Sequence, residues 1–338
     1  MIEPDASTDD LLEMAEQAPN LTYFAFAKNA VRQPAPAPTQ ASVGQLPQVL
    51  AGRYQLEGLL GAGGMGTVYR ARDLLHEQYG EPSPYVAIKV LGEDVAAAPD
   101  ASALLYSEFA LTRHVRHDNV LRLYTFEVDQ DSQLAFISME LMRGLTLDKL
   151  LCERPGGLPW DQLREIALPL LDALVCAHDC GVLHGDIKPS NVMLCDEGVR
   201  LFDFGLGQSE EGVLDGLPQL GRSRFNAWTP GYAAPELLDG QPLTSRADLF
   251  AVACVLYELA EGKHPFQRVP SNLAQAQGLH LRLRAPRHLP WYCWPALRAA
   301  LSLDPQARSI TAHQLRQAWH SRWAGARHWL GHVQVRRG

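Results

Sequence analysis

Three side chains in one short stretch, VLHGDIKPSNVMLCDEGVRLFDFG at residues 182–205, have the types and spacing for phosphoryl-transfer chemistry. Asp186 stands five residues before Asn191, and Asp203 stands twelve residues after it. One carboxylate can orient a hydroxyl, while an amide oxygen and a second carboxylate can hold a hard divalent cation. Mg²⁺ takes oxygen ligands and usually only one or two protein carboxylates, with water and phosphate supplying the rest. Between Asn191 and Asp203 apolar residues alternate at Val192, Leu194, Val199 and Leu201, interrupted by Asp196, Glu197 and Gly198. This predicts two short strands joined by a turn. Such a hairpin sets the loop before it beside the loop after it, so the three polar groups converge.

The elements that must position this group follow the same logic. In RYQLEGLLGAGGMGTVYRARD, from Arg53, two alternating runs flank a turn in which Gly61, Gly63 and Gly66 recur, followed by Val68. Backbone without side chains can close over phosphates and donate N–H groups to them, a role open to the whole tip from Leu60 through Ala62, Gly64 and Met65. Dinucleotide-binding loops share the spacing but lead into a helix, whereas here another strand follows. The next connection, residues 73–84, reads as a surface excursion stiffened by Pro82 and Pro84. Strand YVAIKV then carries Lys89, a lone cation that is costly to bury unpaired. Its expected partner is Glu108, nineteen residues on, in the helical stretch SALLYSEFALTRHV. Strands are expected at Val120–Val128 and Gln133–Met139. Residues 160–180 form an apolar-periodic helix, with Pro169 inside it expected to kink it at a cost of roughly 3 kcal/mol. Residues 246–260 are apolar nearly all round and belong in a core. An amphipathic helix is expected over about 311–323, before a basic end with Arg327, Arg336 and Arg337.

Composition narrows the classes. The 338 residues suffice for two domains or one two-lobed unit with ample core. A net charge of −8 provides no global basic field for nucleic acid. The six cysteines show no CxxC or paired zinc spacing, and Cys176 and Cys180, one helical turn apart, read as buried free thiols. With no apolar run of membrane-spanning length and an acidic N-terminus, the expected location is cytoplasmic. Residues 1–33 hold a candidate helix at Leu11, Leu12 and Met14 and an aromatic patch at Tyr23, Phe24 and Phe26, ahead of an extended PAPAP at 34–38. They read either as a disordered tail or as a docking motif.

The strip at 182–205 resembles the catalytic loop H-R-D-L-K-x-x-N and the metal-binding loop D-F-G of eukaryotic-type protein kinases. The glycine turn and the V-A-I-K context of Lys89 extend the resemblance, which covers about residues 53–323 and is nearest in style to bacterial serine/threonine kinases. It implies an α+β, bilobal fold: a small antiparallel β-sheet lobe with one helix (53–139), a hinge (140–144) and a mainly helical lobe (145–323). Residues 1–52 would be an extension and 324–338 a tail. ATP would lie between the lobes with Mg²⁺ or Mn²⁺. The resemblance makes Asp186 the residue that orients the acceptor hydroxyl, Lys188 the one that reaches the γ-phosphate, and Asn191 and Asp203 the metal ligands. Lys89, held by Glu108, would meet the α- and β-phosphates. Backbone of Glu140 and Met142 would bind adenine, bordered by Met139 and walled by Val68, Ala87 and Met193. Gly205 completes D-F-G, and Thr229 in TPGYAAPE would support the catalytic loop. Asp248 would anchor that loop's backbone, and Arg308 would pair with Glu236.

Within the resemblance, lysine at 188 and the segment ending at Ala234, Pro235 and Glu236 imply serine or threonine acceptors in protein substrates; kinases of this style often act opposite a metal-dependent phosphatase, which the resemblance offers as a partner. Gly185 departs from the family, which has arginine there to clamp a phosphorylated loop residue. Activity is therefore expected to depend less than usual on phosphorylation at Ser209 or Ser223. Two rivals stay open: a pseudokinase scaffold, favoured by Gly185, and a small-molecule phosphotransferase. Oligomeric state is left open.

Overall fold

The computed structural model describes residues 46–63, 66–91, 101–214, 216–217 and 228–320. The expectations for residues 1–45, Gly64, Met65, Ser223 and the basic end lie outside them.

A six-stranded antiparallel sheet opens the fold. Its strands are β1 (Val49–Leu50), β2 (Tyr54–Gly63), β3 (Gly66–Asp73), β4 (Tyr85–Leu91), β5 (Leu123–Val128) and β6 (Ala135–Glu140), in the spatial order β1-β2-β3-β4-β6-β5. Residues 46–50, ahead of the change in pattern at Arg53, already belong to this lobe: Leu50 is fully buried against Tyr54, Ile88 and Phe136. β2 carries register shifts between Leu56 and Gly58 and between Leu59 and Gly61, irregularities that bend and twist a strand.

Two expectations need correction in this lobe. Among the described residues it holds two helices rather than one, since the 73–84 connection contains α1 (Leu74–Gln78) ahead of α2 (Ala101–His114). Asp73 caps α1 by accepting from the Leu75 and His76 N–H groups, and the same carboxylate takes Arg53. The strand expected from Val120 begins at Leu123. Val120 instead bridges in parallel to Leu201, tying this lobe to the hairpin at residues 192–201.

The larger lobe contains β7 (Gly144–Thr146), α3 (Leu147–Glu153), α4 (Trp160–Asp179), β8 (Val182–Leu183), β9 (Val192–Cys195), β10 (Gly198–Leu201) and β11 (Gln208–Ser209). It continues with α5 (Pro235–Leu238), α6 (Ser245–Glu261), α7 (Ser271–Ala276), α8 (Trp294–Ala300) and α9 (Ala312–His320). Every residue of α6 from Ala247 to Ala260 is buried, as its all-round apolar pattern demands. In α4 the stripe Leu163, Ile166, Ala167, Leu170, Leu171 and Leu174 is fully buried, and Pro169 lies within the helix without ending it.

Cys176 and Cys180 are half-buried rather than buried, because the helical period puts Ala177 in the packed stripe and leaves them at its edge. Among the described residues no helix is long and apolar enough to cross a membrane.

Candidate active site

The hairpin forms as its alternation requires. β9 and β10 pair antiparallel with Val192 opposite Leu201, so Asn191 and Phe202 face each other across its open end. The Phe202 N–H donates to the Asn191 carbonyl at 3.1 Å. His184 closes the same junction: its Nε2–H donates to the Phe202 carbonyl at 3.1 Å, and its Nδ1 accepts from the Asp186 N–H at 3.2 Å. These bonds fix the tautomer, and the ring packs on Phe204 at 4.4 Å between centroids. The loop 184–191 and the loop 202–205 are thereby laced together.

Lys89 reaches this junction from the sheet. Its Nζ donates to both Glu108 oxygens, at 2.6 and 2.8 Å, and to Asp203 Oδ1 at 2.9 Å. One ammonium between two carboxylates satisfies them unequally. Burial alone would lower the Lys89 pKa, but the charges of Asp203 and Glu108 outweigh it and hold the ammonium above its ordinary range. Asp203 is likewise pushed up by burial but drawn below the usual carboxylate range by Lys89, whereas burial keeps Glu108 above it. Asp203 also sits at φ +70°, a left-handed backbone that costs a non-glycine residue about 1–2 kcal/mol. Gly205 follows in a turn, closed by the Gly207 N–H on the Phe204 carbonyl.

Three side chains donate to Asp186. Lys188 Nζ donates to its Oδ2 at 2.5 Å, the Thr229 hydroxyl to its Oδ1 at 2.9 Å, and Asn191 Nδ2 to its backbone carbonyl at 2.8 Å. Lys188 Nζ also donates to Thr229 Oγ1 at 3.0 Å, closing a triangle. Burial raises the Asp186 pKa against the pull of Lys188 and Thr229. With its Nδ2 spent on Asp186, Asn191 keeps its amide oxygen for other use.

Two further charges hold this arrangement from below. Asp248 on α6 accepts the backbone N–H groups of His184 at 2.8 Å and Gly185 at 2.9 Å, together with His178 Nε2–H at 3.1 Å. Burial would raise its pKa, but the hydrogen bond and charge of His178 keep it low. Arg308, fully buried, forks onto Glu236 with two bonds of 2.6 Å. Gly185 sits at φ +84° with the Leu206 carbonyl close by, so its glycine is a backbone requirement.

The sequence matches the family described as "Protein kinase domain" over residues 54–332. This chain belongs to the protein kinase family. Among curated proteins it is similar to a probable serine/threonine-protein kinase PknB of Corynebacterium glutamicum, 32% identical over 222 residues, which are 65% of this chain and 33% of that relative. It is also similar to serine/threonine-protein kinase PkaA of Streptomyces coelicolor, 32% identical over 76% of this chain and 47% of the relative. A third is serine/threonine-protein kinase PknE of Mycobacterium bovis, 30% identical over 81% and 47%. The chain thus spans a third to about half of the length of these relatives.

Within the kinase domain, sheet register brings together several of the side chains expected to wall the base. Val68 and Ile137 lie opposite Lys89, and Met139 lies opposite Ala87, so these side chains share one face of the sheet. Ala87 and Met139 cluster with Leu121, and Val68, Met142, Leu123, Leu141 and Phe202 pack on them. Met193 does not belong to this cluster. It is half-buried on β9, on the opposite side from Val192 and Leu194. The Glu140 N–H donates to the Arg122 carbonyl at 3.0 Å, so that donor is already spent within the protein. Leu60, Gly61 and Ala62 are exposed at the tip of β2, while Gly66 is buried with the Val90 carbonyl where a Cβ would stand.

Sequence reasoning missed one cluster beside this site. Tyr232 OH donates to Glu258 Oε2 at 2.5 Å, and Arg268 Nη2 donates to Glu258 Oε1 at 2.8 Å, with His264 stacked edge-on to Tyr232. Pairs this far apart in the chain leave no local pattern. The available signal was a glutamate in an otherwise apolar core helix, which must find partners.

Proposed function

We propose that this chain is an ATP-dependent serine/threonine protein kinase that transfers the γ-phosphoryl group to protein hydroxyls, its own included. The observation that carries the reading is the Asp186–Lys188–Thr229 triangle, which joins the carboxylate at the hairpin to the end of the segment that carries a peptide substrate in this family. A small-molecule phosphotransferase has no use for that joint.

The donor set fits MgATP. Asn191 offers an amide oxygen and Asp203 a carboxylate, both hard oxygen ligands suited to Mg²⁺ or Mn²⁺. MgATP, when bound, supplies the transferable phosphoryl group and neutralises its charge. The protein's own part is positioning and electrostatics. Asp186 orients the acceptor hydroxyl and takes its proton, a role that its burial-raised pKa favours. Lys89, locked by Glu108, presents a fixed positive charge under the glycine turn. Lys188 adds a second beside the acceptor. Substrates would be proteins with serine or threonine acceptors, and a metal-dependent phosphatase is the expected opponent. Six unpaired thiols suit a reducing, cytoplasmic compartment.

The pseudokinase alternative rests on Gly185 alone. Incubation of the protein with [γ-³²P]ATP, Mg²⁺ and a generic acceptor protein, followed by phosphoamino-acid analysis, separates the readings. Label on phosphoserine or phosphothreonine supports the kinase. Nucleotide binding with no transferred label, with either metal, supports the scaffold.

A further inference from the structure

We infer that Arg268 sets the substrate preference of this kinase, favouring an acidic side chain near the acceptor hydroxyl by capping the buried Glu258 carboxylate and offering its remaining donors to the peptide. The inference rests on the protein kinase reading. It begins with a contrast in exposure: the Glu258 side chain is 4% exposed and Arg268 is 63% exposed, although the two are bonded at 2.8 Å. A carboxylate on the core helix is thus closed off from solvent by one cation at the surface. Its other oxygen is taken by Tyr232, three residues after the Thr229 that holds Asp186.

The chain pays to put Arg268 there. Gln267 and Arg268 are consecutive left-handed residues, at φ +56° and +58°, in a region that non-glycine residues adopt only when their surroundings impose it. His264 imposes it. Its Nδ1 accepts from the Phe266 N–H at 3.1 Å and the Arg268 N–H at 3.0 Å, and its carbonyl accepts from the Gln267 N–H at 3.2 Å. Strain held this tightly at an exposed loop is a mark of function rather than of folding economy. Directly opposite lies the substrate segment: a Cβ on Gly231 would stand 3.3 Å from Arg268 Cα, so the two backbones are in contact.

The electrostatic consequence has a definite sign. A guanidinium carries five N–H donors, and Glu258 uses few of them. Those left over, on an exposed side chain whose backbone touches Gly231, would pair with a substrate carboxylate or phosphate and repel lysine or arginine. Without Arg268, the same spot would present the Glu258 carboxylate, and the preference would reverse.

The test uses the full chain, MgATP and peptides with one serine or threonine acceptor, carrying aspartate or lysine at each flanking position in turn, with kcat/KM for each. Wild type is expected to favour aspartate by about tenfold at one position. Arg268→Ala should reverse the order at that position, Arg268→Lys should keep it, and the double variant Glu258→Gln/Arg268→Ala should show neither preference. The double variant removes both charges, so it remains readable if Arg268→Ala alone fails to fold. An unchanged rank order in the variants, with transfer to a generic acceptor retained, would make Arg268 a structural counter-ion and overturn the inference. Absence of transfer by wild type to any acceptor would overturn the kinase reading and this inference with it.

Discussion

Any side chain at position 185 would press on the carbonyl oxygen of Leu206: a Cβ built on Gly185 comes within 2.5 Å of it, at a backbone φ of +84°. The family's arginine at this position has a regulatory use, yet here the loop is shaped around glycine, with the Gly185 N–H held by Asp248. Gly185→Ala is expected to lose about 1–3 kcal/mol of stability in chemical denaturation, from left-handed strain plus the clash. A variant as stable as wild type would show that Leu206 yields freely.

Loop phosphorylation should matter little. Ser209 is half-buried in β11, paired to Val182 of β8, so phosphorylating it requires that pairing to open. The double variant Ser209→Ala/Ser223→Ala is expected to keep turnover within about tenfold of wild type, because no arginine at 185 waits for a phosphate. A hundredfold loss in a steady-state assay would contradict this.

The Arg308–Glu236 fork is a structural joint that ties the start of α5 to the stretch between α8 and α9. Arg308 also donates to the Ser302 and Arg246 carbonyls, so its removal strands a carboxylate and two backbone acceptors. Arg308→Ala should cost about 3–5 kcal/mol, read as a lowered denaturation midpoint. Glu236→Gln, which keeps a hydrogen-bonding partner of similar shape, should cost less. Equal losses would mean that the geometry of the fork, rather than unpaired charge, dominates.

Much of this site was legible because its signals are local or obligatory. The hairpin announced itself by a period of two, and Lys89 by the cost of burying a cation, which demanded Glu108. The second partner of Lys89, Asp203, needed the fold, since it arrives from the other lobe. Helix α1 was readable after the fact from Asp73 ahead of Leu74 and Leu75, a cap that also serves Arg53. Met193 shows the opposite limit: alternation fixes which side of β9 it takes, but not whether that side reaches the Ala87–Met139 cluster. Of the Tyr232–Glu258–Arg268 set only Glu258 was signalled, as a carboxylate in an otherwise apolar helix; its partners could not be read, because they pair across loops without periodicity.

His264 predicts a pH dependence. Burial, with Arg268 nearby, lowers its pKa from 6.5 to about 4. Above pH 6.5 it is neutral in both folded and unfolded chains, and its contribution is complete. As pH falls below that value the unfolded chain takes up the proton first, so stability is lost, reaching about 3 kcal/mol near the folded pKa. His264→Asn supplies a side-chain oxygen for the Phe266 and Arg268 N–H groups but cannot titrate. The difference in unfolding free energy between wild type and this variant should therefore shrink as pH falls from 6.5 toward 4. A pH-independent difference would show that His264 is not held neutral by the fold.

The claim that Asp186 is the residue that handles the acceptor hydroxyl is tested most directly by steady-state transfer of ³²P from MgATP to a serine- or threonine-bearing protein, comparing wild type with Asp186→Asn. The account predicts a fall in kcat of about 10²–10⁴-fold with the KM for ATP nearly unchanged, since Asp186 faces Lys188 and Thr229 rather than the Lys89–Glu108 pair. Equal kcat for the two proteins would contradict it.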